Sequence, residues 1–308
     1  MTNDLKQTPA QGDERSLADL VSEGPRPSFL ESFPPITLVK IGVLAALVIL
    51  VNRWQFPRLW VSWTEDENWQ HGLLIPLFSL FLLYNRGREL LSTPRRMSWL
   101  GLPVVLLALV GTLLAVYPVS NAWAQSLGMV ALIFGVVLLV GVTRITRLTW
   151  LPILFLVFAM PIPPLMYNAI ALPLQNLAAL CARHILVLFG AKIVSSHSAM
   201  NVTSLAGIQY PLVVEEACSG VRSLMAYVAL GVAWAYVARR PIWQRVVVVA
   251  MAVPFASVTN ILRVTITALM FVIDKPEWGK DFMHEFTGML MLIPAFLMFW
   301  GLTRLMDA

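Results

Sequence analysis

The chain alternates between long apolar runs and short polar joints. Apolar runs cover residues 36–52, 73–84, 99–117, 122–142, 148–160 and 169–189, and three more lie between positions 218 and 239, 245 and 263, and 284 and 304. A helix rises ~1.5 Å per residue and a bilayer core is roughly 30 Å thick, so about 20 apolar residues cross it. The pattern predicts an all-α polytopic membrane protein with about eight hydrophobic helices, one or two of them interfacial or short. The run at 73–84 needs its flanks to complete a span. Pro118 and Asn121 mark a tight turn between 99–117 and 122–142. Pro161-Ile-Pro-Pro164 ends the run before it, because proline removes backbone donors.

The charges orient these runs. Arginines crowd the joints at 86, 88, 95 and 96, at 144 and 147, at 239, 240 and 245, and at 304. An excess of Lys and Arg marks cytoplasmic loops. Residues 1–35, polar and proline-bearing, then form a cytoplasmic tail. Residues 36–308 form one transmembrane domain, with outer loops near 53–71, 161–217 and 264–284. The tryptophans of 54–69 suit a membrane boundary. The run at 169–189 carries Gln175, Asn176, Arg183 and His184, so it is expected to lie along the outer interface as an amphipathic helix. Residues 191–214 read as a polar outer loop, with a short hairpin as an alternative within it.

Composition agrees: 58% of the 308 residues are hydrophobic and 13% charged, with a mean hydropathy of +0.74. A soluble domain needs far more polar surface. The net charge of +5 follows from membrane topology, so no nucleic-acid partner is expected. Two cysteines, Cys181 and Cys218, exclude a dense disulfide framework. HExxH, Walker and GxGxxG motifs are missing, and no metal or organic cofactor is expected.

The helical rise also places side chains in depth. From Arg239 back to Cys218 is about 32 Å, from Arg245 to Arg263 about 27 Å, and from Arg304 back to His284 about 30 Å. Each of Cys218, Arg263 and His284 therefore lies one membrane thickness from a cytoplasmic arginine, at the outer boundary.

These three carry the candidate chemistry. A cysteine attacks as a thiolate, which a helix start favours; the alternative is an ordinary buried cysteine, and Cys181 among apolar neighbours reads that way. His284 is the natural base, with His71, His184 and His197 as rivals on the same side. Arg263, in an apolar segment at the outer end of a span, suits an oxyanion; the alternative is a structural ion pair with Glu215, Glu216 or Asp281. Arg222, four residues after Cys218, would share its helical face and either lower the thiol pKa or pair with Glu216. Glu216 suits substrate positioning better than catalysis, because a carboxylate raises a neighbouring thiol pKa. Asn260 is placed to orient Arg263 or to bond substrate.

Glu216-Ala-Cys-Ser-Gly-Val-Arg-Ser-Leu224 resembles the nucleophile motif of the exosortases. Asn260-Ile-Leu-Arg-Val264 resembles their arginine motif, and His284-Glu-Phe-Thr-Gly288 the histidine motif opening their last conserved helix. His71-Gly72, Pro161-Ile-Pro-Pro164 and Pro173-Leu-Gln175 are also similar to the family, and the resemblance covers residues 36–308. It implies a Cys-His-Arg peptidase or transpeptidase of the bacterial inner membrane, with its site on the periplasmic face. Cys218 would be the nucleophile, Arg263 the oxyanion-stabilising group and His284 the acid and base. The implied partners are the lipid bilayer, an unidentified acceptor nucleophile and tail-anchored proteins bearing a C-terminal sorting signal. That signal is a short motif such as Pro-Glu-Pro (PEP-CTERM type), a transmembrane helix and a basic cluster, and many members accompany exopolysaccharide production. The contrasting readings are a non-catalytic transporter or exopolysaccharide-assembly component, and a thiol-dependent acyltransferase.

Overall fold

The computed structural model describes residues 35–66, 68–93, 98–141, 143–196, 199–213, 220–238, 240–279 and 292–307. Cys218, Glu216 and His284 lie outside the described residues.

The first apolar run is helix α1, Pro35–Val51. Asn52 closes it, its side-chain amide donating to Val48 O at 2.9 Å. The chain then bends by 70° into α2, Gln55–Glu65. This corrects the expectation of a loop at 53–71. Gln55 and Leu59 are buried, and Trp63 Nε1 donates to Ala159 O at 2.7 Å. Positions 55, 59 and 63 share one helical face, while Trp54, Phe56 and Trp60 stay exposed. A turn of 3-10 helix, Gln70–Leu73, leads into α3, Leu74–Asn85, and the short α4, Gly87–Ser92.

Helices α5, Gly101–Val116, and α6, Ala122–Val140, form the expected hairpin. Asn121 caps α6, its side chain accepting from Ala124 N at 2.9 Å. A Cβ on Gly128 would collide with Thr112 Oγ1. A small residue here permits the close backbone approach that membrane helices use in place of a hydrophobic driving force. Helix α7, Thr143–Phe155, and a 3-10 turn, Leu156–Ala159, stop at the proline cluster.

Pro164 also begins the next helix, at a position where a missing N–H costs nothing. That helix, α8, runs from Pro164 to Leu188. Expected to lie along the interface, it is 25 residues long, and its length and composition suit a membrane crossing. Ala178, Ala179, Ala182 and Leu186 bury one stripe against the helix that carries Arg263. His184 stays on the exposed side, its Nδ1 2.7 Å from Leu180 O. The polar residues that argued for a surface helix are thus split between a packed face and an open one.

The loop expected over 191–214 holds strands, which corrects an all-α fold: the protein is mostly helical with a small sheet. Strands β1, Lys192–Ser196, β2, Ala199–Thr203, and β3, Gln209–Val213, form an antiparallel meander in that order. Met200 and Val202, alternate residues on one face, pack with Ile193 and Leu212 onto α8 and the Arg263 helix.

Helix α9 is Val221–Val237, α10 Ile242–Ala250, α11 Ala252–Val272 and α12 Leu292–Leu305. Together α10 and α11 make a 31-residue apolar rod, about 46 Å long at the helical rise. That exceeds a bilayer core of roughly 30 Å, so one end overhangs. Among the described residues three segments are long and apolar enough to cross a membrane: α6, α8 and the α10–α11 rod. Helices α5, α9 and α12 are shorter apolar helices.

Candidate active site

Helices α9, α10, α11 and α12 share one core, built on Leu224, Tyr227, Val248, Ala252, Ala256, Ala295 and Phe299. Tyr227 OH and Thr259 Oγ1 are 2.8 Å apart, and the Thr259 hydroxyl also donates to Phe255 O at 2.9 Å. This bond joins α9 to α11 one residue from Asn260.

The two ends of α9 differ in chemistry. At its C-terminal end the Arg86 guanidinium stacks on Tyr236 at 5.1 Å, and Arg240 pairs with Asp307 at 2.6 Å. Arginines from two separate joints of the sequence gather there with Arg304 of α12. At the other end Gly220 precedes the helix at φ +59°, a conformation other residues adopt at a cost. A Cβ there would stand 3.1 Å from Asn260 Nδ2 and 3.4 Å from Leu174 Cβ. Helix α9 begins after Gly220 and Arg222 is its second residue; position 218, whose face it was expected to share, lies outside the described residues.

Asn260 and Arg263 lie one turn apart on α11, and Arg263 Nη2 donates to Asn260 Oδ1 at 3.0 Å. Arg263 is only 1% exposed. Its Nε and Nη1, with Asn260 Nδ2, have no hydrogen-bond partner among the described residues. Buried polar groups are almost always bonded, and a buried cation without partners is costly. These donors therefore call for a partner outside the described residues. Thr267 Oγ1, one turn further, is another such atom, as is Gln175 Oε1 on α8.

His71 approaches from the 3-10 turn before α3. Its ring lies beside Trp69 at 5.8 Å. Burial, above all, and the positive charge of Arg222 hold its pKa near 4, against the raising influence of the peptide groups of Phe158 and Asn68. His71 is therefore neutral at physiological pH. Since its folded pKa lies below the unfolded value of 6.5, the unfolded chain binds more protons between these values. Stability is then full above pH 6.5 and falls as the pH drops toward 4, by at most about 3 kcal/mol. Thermal melts in detergent between pH 7 and 4 test this: His71→Asn is expected to flatten the acid-side decline, and an unchanged decline would assign it to other groups.

The structure thus brings Asn260, bonded to Arg263, against Gly220, and His71 within the field of Arg222. Sequence reasoning had not given Gln175, Thr267 or the Tyr227–Thr259 pair a place in this neighbourhood. For Gln175 a signal was present, since it lies three and four residues before Ala178 and Ala179 and so shares their packed stripe. Among the described residues no group of three or more His, Cys, Asp or Glu side chains could hold a metal ion.

The sequence profile of the transmembrane exosortases matches residues 63–301, well over half of the chain. The chain belongs to the transmembrane exosortase family. The match and the apolar helices together make this exosortase a multi-pass membrane protein. Its matched region begins within α2, so α1 lies outside it. No curated protein and no solved structure matches the chain.

Proposed function

We propose that this exosortase is a membrane-embedded cysteine peptidase or transpeptidase. It removes the C-terminal sorting signal, of PEP-CTERM type, from exported proteins. The reading places it in a bacterial inner membrane with its site on the outer face, in service of surface-protein sorting and exopolysaccharide production.

The observation that carries this reading is the buried Arg263, bonded to Asn260, whose amide in turn lies beside Gly220. Gly220 follows Cys218 by two residues, and two peptide units reach no further than about 7 Å. A thiolate in that neighbourhood would find in Arg263, whose Nε and Nη1 have no partner among the described residues, an electrostatic partner for the charge it creates. In the proposed cycle Cys218 attacks the carbonyl just outside the substrate helix, and the C–N bond electrons leave with the amine. The oxyanion formed on the way accepts from Arg263, whose forked donors suit it. His284 protonates the departing amine, then takes a proton from an acceptor amine or from water as it attacks the thioester. Glu216 and Arg222 position substrate around the nucleophile, and His71, neutral, serves as a polar contact there.

The test is to reconstitute the full chain in liposomes with a tailed precursor from the same genome. The expected result is a shortened precursor, separated from its tail, that is absent from protein-free liposomes. A precursor that stays intact over many hours would overturn the peptidase reading.

A further inference from the structure

A cavity of about 780 Å³ lies between α1 and the body of the fold. Its walls include Leu44 and Val48 of α1, Leu90 of α4, Val137 of α6 and Ile145 of α7. The lining is apolar almost throughout. Thr149 is an exception, and its hydroxyl already donates to Ile145 O at 3.0 Å. Helix α1 leaves this space because it packs loosely: none of its 17 residues is buried. Protein interiors seldom hold voids larger than a water molecule, and a water needs polar partners that these walls do not offer. The space therefore calls for an apolar occupant.

Size and charge decide which one. A helix with its side chains is about 10–12 Å across, so three turns of it occupy roughly 1,200–1,800 Å³. That exceeds the cavity, whereas a single hydrocarbon chain is no thicker than a leucine side chain. Gly87 and Ile145 belong to the lining, so one end of the cavity lies at the joints that carry Arg86, Arg88, Arg144 and Arg147. Arg144 and Arg147 are exposed in the first turns of α7, where the helix dipole adds to their positive charge. Glu89 is the one carboxylate at these joints. Basic residues at a membrane surface attract anionic lipid headgroups. They repel the basic cluster of the proposed precursor tail.

We infer that this cavity binds an anionic phospholipid of the surrounding bilayer, with one acyl chain between α1 and α6 and the headgroup phosphate at the arginines that open α7. The lipid then does for α1 what direct packing does for the other helices. It fills the space that the side chains leave, and it ties a helix outside the family-matched region to one inside it. Binding of this kind does not depend on the peptidase reading, and its test needs no cleavage.

The full chain, purified in detergent, is titrated with dioleoylphosphatidylglycerol or with dioleoylphosphatidylcholine, and its melting is followed. The anionic lipid is expected to raise Tm by about 5 °C and the zwitterionic one by under about 2 °C. Leu44→Trp with Val48→Trp blocks the cavity from the α1 side and is expected to cut the anionic gain to under about 2 °C. Because α1 has no buried residue, this variant is expected to melt within about 2 °C of wild type before lipid is added. Arg144→Gln with Arg147→Gln is expected to bring the anionic gain down to the zwitterionic value. As a second measurement, phosphatidylglycerol with a diazirine on its acyl chain is expected to label α1 and α6, and to lose that labelling in the tryptophan variant. Equal gains from the two lipids overturn the inference, as does labelling that persists in the tryptophan variant. Displacement of the lipid label by a synthetic tail peptide, an apolar helix with a basic cluster, would assign the cavity to substrate and overturn it too.

Discussion

Cys218→Ala is expected to leave the precursor tail attached, with turnover reduced on the order of a thousandfold or more. The proposed cycle passes through a thioester, and alanine cannot form one. Serine at this position is expected to recover little, since a hydroxyl at its ordinary pKa is a far weaker nucleophile than a thiolate. Residual catalysis from positioning and charge stabilisation alone is small in enzymes of this type. Precursor and product are read by gel shift after co-expression, and the wild-type intermediate by release with hydroxylamine. Unchanged tail removal in Cys218→Ala would rule out this residue as nucleophile.

Arg263→Lys is expected to lower kcat about a hundredfold to a thousandfold, the range seen when one oxyanion donor is lost. Lysine keeps the charge but lacks the planar fork, so it cannot hold Asn260 and present two further donors together. The companion variant Arg263→Met separates catalysis from folding. Removing a buried, under-bonded cation in favour of an apolar side chain of similar length is often neutral or stabilising. Arg263→Met is therefore expected to melt at or above the wild-type temperature in detergent while processing no precursor. A structural ion-pair role predicts the reverse: a strongly lowered melting temperature in Arg263→Met and near-normal turnover in Arg263→Lys.

Much of the membrane architecture was legible because its signals are local. The hairpin of α5 and α6 follows from two apolar runs around Pro118 and Asn121. The proline cluster at 161–164 ends one helix and opens another. What escaped were features that depend on tertiary partners. Helix α2 buries Gln55, a polar residue that satisfies its amide across the fold, so counting hydrophobic residues reads a loop. Helix α8 reads as a surface helix only until its alanine stripe is given a surface to pack on. A hairpin at 191–214 was open from the sequence, but the full three-stranded sheet was not, because strands of five residues with few buried positions resemble polar loop. In the site, the pairing of Asn260 with Arg263 is a one-turn relation that spacing can suggest. The approach of Gly220 and Leu174 to Asn260 is not, since three elements distant in sequence meet there. Glu216, Cys218 and His284 remain sequence-based assignments.

The meander of β1 to β3 ties two helices together at one end. It is a strut between the far ends of α8 and α11, joined to one through Phe189–Ala191 and to the other through Val272 O and the Asp274 carboxylate, which accepts from Ala206 N at 3.0 Å. Rigid helices convert a change in separation at one end into a change at the other. The separation of α8 and α11 is thus fixed at their far ends as well as along their packed faces, by a strand connection. Variation in that connection offers a route by which the spacing of the two helices can change while every residue between them stays the same.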